Sequence, residues 1–125
     1  MFSHVMLGTN DVQASKNFYE AIFKELGYKE VFVDPKGRCD YRTDAGTFIL
    51  TPPINGELAT HGNGSTMGFS AASEEIVNAW HAAGIANGGT TCEDLPGVRD
   101  LGQRKLYLAY LRDPTGNKLC ALFPL

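Results

Sequence analysis

Apolar positions recur at helical spacing in two parts of the chain and alternate at period two around them. Val12, Ala14, Phe18, Ala21, Ile22 and Leu26 mark one face of a helix that Asn10 and Asp11 can cap and Gly27 closes. Ile76, Val77, Trp80 and Ala83 mark a second helix face, with Ser73 as its cap. Glu74 and Glu75 fall in its first turn, where carboxylates suit the helix dipole, and Gly88 and Gly89 close it. A short apolar alternation precedes each helix, over residues 3–7 and 65–69. Three more strand-like stretches follow each one: 29–33, 38–43 and 47–51 in the first half, 90–93, 105–112 and 118–123 in the second.

The two halves share a register. Val5 pairs with Met67, Leu7 with Phe69, Phe18 with Trp80 and Gly27 with Gly89, each at a separation of 62. The closing hairpins echo each other too: "YRTDAGTFIL" (41–50) and "YLRDPTGNKLC" (110–120) each run from a Tyr through an Asp and a Gly turn into an apolar strand. A repeat of strand, helix and hairpins in the same order predicts two βαβββ modules, residues 1–53 and 64–125, in a single α+β domain spanning 1–125. The stretch "PPINGELATHGN" (52–63) carries Pro-Pro and Gly-Asn punctuation, and residues 54–63 form the linker. Each module alone leaves a sheet edge open, so the halves are expected to pair around a shared concavity.

Composition narrows the partners. At 125 residues and 43% hydrophobic, the chain can bury one sizeable core and is too short for two ordinary domains. A net charge of −3 with no basic stripe argues against nucleic acid. No apolar run approaches the roughly 18 residues of a membrane span, and the first residues lack a basic leader region. Cys39, Cys92 and Cys120 are odd in number and widely spaced, which points away from a disulfide framework and toward a reducing cytoplasm.

The modules resemble the glyoxalase/bleomycin-resistance (vicinal oxygen chelate) family. "GNGSTMGFSA" opens the second module, "RDPTGNKL" closes it, and "SKNFYEAIFKELGY" (15–28) is similar to that family's first helix. The resemblance implies two βαβββ modules around a curved-sheet cleft and a homodimer. It also implies one divalent metal held by four symmetric positions, which fall here on His4, Leu50, Thr66 and Cys120. The family pattern there is two His or Gln and two Glu. Leu50 has no donor atom and a Thr hydroxyl is a poor neutral ligand, so no metal and no other cofactor is expected. A residual divalent ion at His4 is the disfavoured exception. His4 is the only candidate base, and no carboxylate is evidently placed to orient it. Cys120 reads as a buried pocket-lining thiol facing the cleft with Leu122, while Leu119, Ala121 and Phe123 pack under the helices.

Two functions follow. The first is binding of a small apolar or aromatic molecule in the inter-module cleft, lined by His4, Met6, Leu50, Thr66, Tyr107 and Cys120. The alternative is a lyase or isomerase of the glyoxalase type, similar to lactoylglutathione lyase, with a degenerate metal site. Arg38 and Arg42 are read as solvated edge charges, and the long loop 93–105 as a cover for the pocket mouth.

Overall fold

A computed structural model describes residues 1–29 and 31–125; Glu30, inside the expected strand 29–33, lies outside the described residues. The first half runs β1 (His4–Gly8), α1 (Val12–Glu25), β2 (Val31–Val33), β3 (Cys39–Thr43) and β4 (Gly46–Thr51). The second runs β5 (Met67–Ser70), α2 (Glu74–Ala86), β6 (Thr90–Thr91), β7 (Gly97–Asp100), β8 (Lys105–Arg112) and β9 (Lys118–Pro124). The strands form a four-stranded sheet ordered β1-β4-β3-β2 and a five-stranded sheet ordered β5-β9-β8-β6, with β7 also on β8. In each sheet the first strand lies parallel to the last, β1 on β4 and β5 on β9.

The helix ends follow from single residues. Asp11 accepts from the Ala14 N–H at 3.0 Å and Ser73 from the Ile76 N–H at 3.1 Å, each satisfying an otherwise unpaired donor. At the end of α1, Gly27 takes φ +89 while Tyr28 N–H bonds Phe23 C=O and Gly27 N–H bonds Lys24 C=O, the Schellman arrangement. The Tyr28 ring packs 5.9 Å from that of Phe23, completing it. The equivalent residue after α2 is Gly88, at φ +94, so the expected pairing of Gly27 with Gly89 is corrected. The second helix is one residue shorter, 13 against 14, and the register of 62 slips by one at its end. Asn10 does not cap; its side chain bonds both backbone groups of Ala59 and ties the linker to the β1–α1 turn.

One apolar core lies on the helix side of both sheets. Phe18, Tyr19, Ile22 and Phe23 of α1 meet Val77 and Trp80 of α2, with Leu50, Leu111, Leu119 and Ala121 from the strands. Gly84 lets the helices approach, since an added Cβ would collide with Leu111 and press on Ile22 and Phe18. Phe23 touches Phe48 of the first sheet and Phe69 of the second at 5.3 and 5.2 Å between ring centres. The "RDPTGN" turn also joins the halves. Buried Asp113 accepts from the Thr115 and Asn117 N–H groups at 2.9 Å and from the Tyr19 hydroxyl at 2.6 Å. A second, small cluster of Leu106, Leu108 and Cys120 lies on the outer face of the five-stranded sheet.

β7 was not expected. Its residues fall in the loop 93–105 read as a cover, but Gly97 to Asp100 pair with Leu108 to Lys105 of β8. Val98 is its one apolar residue and is 52% exposed, so no alternation announces it. Among the described residues, no helix is long and apolar enough to cross a membrane.

Candidate functional site

The six residues expected to line one cleft divide between two faces. Val5 and Leu7 pack into the core, so His4 and Met6 take the outer face of β1, both exposed. The His4 ring nitrogen Nδ1 lies 2.9 Å from Ser3 Oγ. Cys120 takes the outer face of β9, beside Leu122, with Leu119, Ala121 and Phe123 on the core side as the alternation requires. Thr66 is exposed just before β5.

Leu50 and Tyr107 belong elsewhere. Leu50 is fully buried on the helix side, and Tyr107 points to α2, donating its hydroxyl to Asn78 Oδ1 at 2.9 Å. Neither faces the cleft. Leu50 and Cys120 each stand four residues after a turn glycine in the sequence, but the two glycines are not equivalent, because Gly46 already pairs with Thr43 inside the β3–β4 ladder. Gly116, by contrast, lies in the loop between Arg112 and Lys118. A one-residue offset moves a strand residue to the opposite face. The strand registers place Met6 opposite Ile49 and Gly68 opposite Cys120, so Ile49, not Leu50, is the counterpart of Cys120. Tyr110, opposite Cys120 on β8, is the outward aromatic in place of Tyr107.

The donor set does not fit the divalent ion that the family resemblance implies. Of the symmetric positions, now His4, Ile49, Thr66 and Cys120, only His4 and Cys120 carry ordinary ligand atoms. Among the described residues, no three His, Cys, Asp or Glu side chains converge. Burial, and then the charge of Glu93, push the Cys120 thiol up to about 11, which keeps it protonated and poorly nucleophilic near neutral pH. Arg38 and Arg42 are held by Asp34 at 2.6 Å and Asp40 at 3.1 Å.

The cavity between the modules lies instead along the gap between β1 and β5. It is an open pocket of about 300 Å³ whose lining includes the aromatic rings of Phe23, Tyr28, Tyr41, Phe48 and Phe69, together with Phe2 and Met67. Ser3, His4, Thr43, Thr47 and Ser70 supply the polar groups of its wall. Of the six expected lining residues only His4 reaches it. The aromatic lining escaped the sequence because helix and strand aromatics at core spacing read as packing, and packing is also what they do: the Tyr41 hydroxyl, its pKa raised by burial, reaches Lys16 C=O at 3.5 Å.

A polar cluster occupies the outer face of the second sheet. The Lys118 ammonium sits 4.9 Å from the centre of the Tyr110 ring and pairs with Glu93. Arg99 of β7 donates to the Asp94 and Leu95 carbonyls at 3.0 and 3.2 Å, fixing the loop that presents Glu93.

Comparisons with known proteins place the chain among relatives. The family model of the Glyoxalase/Bleomycin resistance protein/Dioxygenase superfamily matches residues 1–121. A glyoxalase/bleomycin resistance protein from Albidiferax ferrireducens T118 is similar over 98% of both chains, at 61% identity and TM-score 0.94. A glyoxalase/bleomycin resistance protein/dioxygenase family enzyme from Burkholderia phytofirmans PsJN shares the fold at 22% identity and TM-score 0.77, over 98% of both chains. A lactoylglutathione lyase from Agrobacterium tumefaciens shares it at 19% identity and TM-score 0.66, over 98% of this chain and 92% of that one. No curated protein matches the chain.

Proposed function

The chain belongs to the Glyoxalase/Bleomycin resistance protein/Dioxygenase superfamily, and from that premise we propose that it binds a small apolar or aromatic molecule between its modules, without the family metal. The carrying observation is the 300 Å³ cavity between β1 and β5, its lining including five aromatic rings, a few hydroxyls and His4. Apolar burial supplies affinity in such a pocket, and the sparse polar groups orient the guest. His4 serves as a hydrogen-bonding group at the wall, donating through one ring nitrogen and accepting through the other.

Cys39, Cys92 and Cys120 are all free thiols, which suits a reducing cytoplasm. A homodimer belongs to the same reading. Among the described residues β1 and β5 each pair on one side only, and the outer face of β1, with Met6 44% exposed, offers a surface to a second copy. Light scattering on the eluting protein is expected to give twice the chain mass.

The binding test is a titration with naphthalene followed by amide resonances. The signals of residues 2–5 and 67–70 should shift, and Phe48→Ala, which removes part of the lining, should change the affinity. Unmoved signals in both strands would overturn the reading. Metal analysis after purification without chelator should give well under one ion per chain; one tight ion lost on His4→Ala would restore the lyase alternative.

A further inference from the structure

We propose that a second pocket, beside the end of α1, is a separate binding site for a small aromatic carboxylic acid whose carboxylate is received by Lys24 and Lys29. Local sequence builds it. The left-handed Gly27 reverses the chain after α1 and lays Tyr28 back toward Phe23, with Lys24 in the last turn of the helix and Lys29 just past the reversal. Val31 of β2 stands opposite Tyr41 of β3, and directly opposed residues of an antiparallel pair share a face. The rings of Phe23 and Tyr41 meet edge to face at 4.9 Å between centres. Between these groups and the two lysines lies a volume of about 280 Å³.

The lining sorts by chemistry. Phe23 and Tyr41 are almost fully buried, at 1% and 3% exposure, so they are a fixed part of the wall, while Tyr28 and Val31 are half-buried and keep apolar surface to cover. A guest ring against them removes that surface from water, which is the source of its affinity. Charge then selects the guest. Lys24, Lys29 and Glu20 border the same volume. Glu20 is already paired with Lys16 at 2.7 Å, one turn away along α1, and among the described residues no carboxylate pairs with Lys24 or Lys29. The helix-end carbonyls do not compete for the ammonium groups, since those of Phe23 and Lys24 accept from the Tyr28 and Gly27 N–H groups. Two ammonium groups beside one volume, in a chain whose net charge is −3, favour an anion there against the field of the whole molecule. Each meets a carboxylate as a point charge with three donors, and beside apolar walls the attraction is stronger than in open water. The pocket is distinct from the β1–β5 cavity. Both touch Phe23, Tyr28 and Tyr41, but among the described residues no Lys, Arg, Asp or Glu lines the cavity between the modules.

The test compares two molecules of equal shape, benzoate and benzamide, by amide resonance titration of the full chain. Benzoate should shift the signals of Glu20, Lys24, Lys29 and Val31, which line this pocket and not the other. It should bind about tenfold more tightly than benzamide, the ratio that about 1.4 kcal/mol of charge recognition gives. Lys24→Gln with Lys29→Gln should bring benzoate down to the affinity of benzamide, with benzamide unchanged as the check that the pocket is intact. Lys24→Arg with Lys29→Arg should keep the preference. Glu20→Gln takes a negative charge from the rim, so it should tighten benzoate about twofold or more and leave benzamide unchanged, a gain that no misfolded variant can give. Equal affinity for both molecules, a preference that survives the double Gln variant, weaker benzoate binding by Glu20→Gln, shifts confined to residues 2–5 and 67–70, or no binding of either molecule would each overturn the proposal. None of these outcomes bears on naphthalene binding between the modules.

Discussion

Cys120 shows how a titratable side chain becomes a statement about stability. It is 6% exposed, and burial followed by the Glu93 charge lifts its thiol to about 11. In the unfolded chain a cysteine titrates at about 8.5. Between these values the unfolded chain loses the proton while the native chain keeps it, so unfolding is favoured as the pH rises. The stabilisation is therefore full below about pH 8.5 and falls by about 3 kcal/mol on approaching pH 11. Buried Cys39, Tyr19 and Tyr41 are shifted upward too, so the native protein should weaken steeply in alkali. Cys120→Ala is expected to lose about 3 kcal/mol less than the native chain between pH 8 and 11 in urea titrations. Equal losses would mean that Cys120 is solvated. At pH 7.5 iodoacetamide should modify half-buried Cys92 before Cys120 or Cys39, as tryptic mapping would show.

At the scale of elements, α2 gives the clearest test of helix phase. Trp80 is fully buried, whereas its neighbour His81 is only half-buried and holds Thr91 Oγ1 at 3.3 Å. Trp80→Ala should cost about 3–5 kcal/mol, the range for emptying a large aromatic site. His81→Ala should cost less than about 1 kcal/mol, since it breaks one long surface hydrogen bond. Comparable costs would place α2 in another phase. The helices were legible because caps, closing glycines and a 3.6-residue period all mark the same ends, as Asp11 and Gly27 do. Strand faces were legible in β9, where the alternation around Cys120 matched the core side. In β4 and β8 they were not: apolar residues stand on both faces, Phe48 with Ile49 and Tyr107 with Leu108, so periodicity could not choose between them. The turn had to decide, and Gly46 within the ladder and Gly116 in a loop look alike in sequence. β7 carried no apolar alternation at all. The β1–β5 cavity was hidden for a different reason, because its rings come from α1, the turn after it, β3, β4 and β5, and their meeting depends on how the modules pack.

At the scale of the molecule, the two modules share one apolar core, and we expect them to fold as a unit. Each has an architecture that could be drawn alone, but their cores are not separable. Phe23 bridges Phe48 and Phe69, α1 crosses α2 at Gly84, and Tyr19 from the first half satisfies Asp113 in the second. Removing that last hydroxyl with Tyr19→Phe should cost about 1.5–3 kcal/mol, the range for a buried hydrogen bond to a charged group. Its loss should be felt in both modules equally. A chain of about 60 residues buries too little surface to be more than marginally stable even with a core of its own. Residues 1–53 alone would also expose the faces of Phe18, Ile22 and Phe23 that α2 and β5 now cover, so that fragment should be unfolded. In the whole chain, urea should therefore melt both halves together. Amide signals from 1–53 and from 64–125 are expected to disappear with one midpoint, coincident with the emission change of Trp80. Separate midpoints would show that the repeat still folds as two independent modules and that the shared aromatic core is only a contact between them.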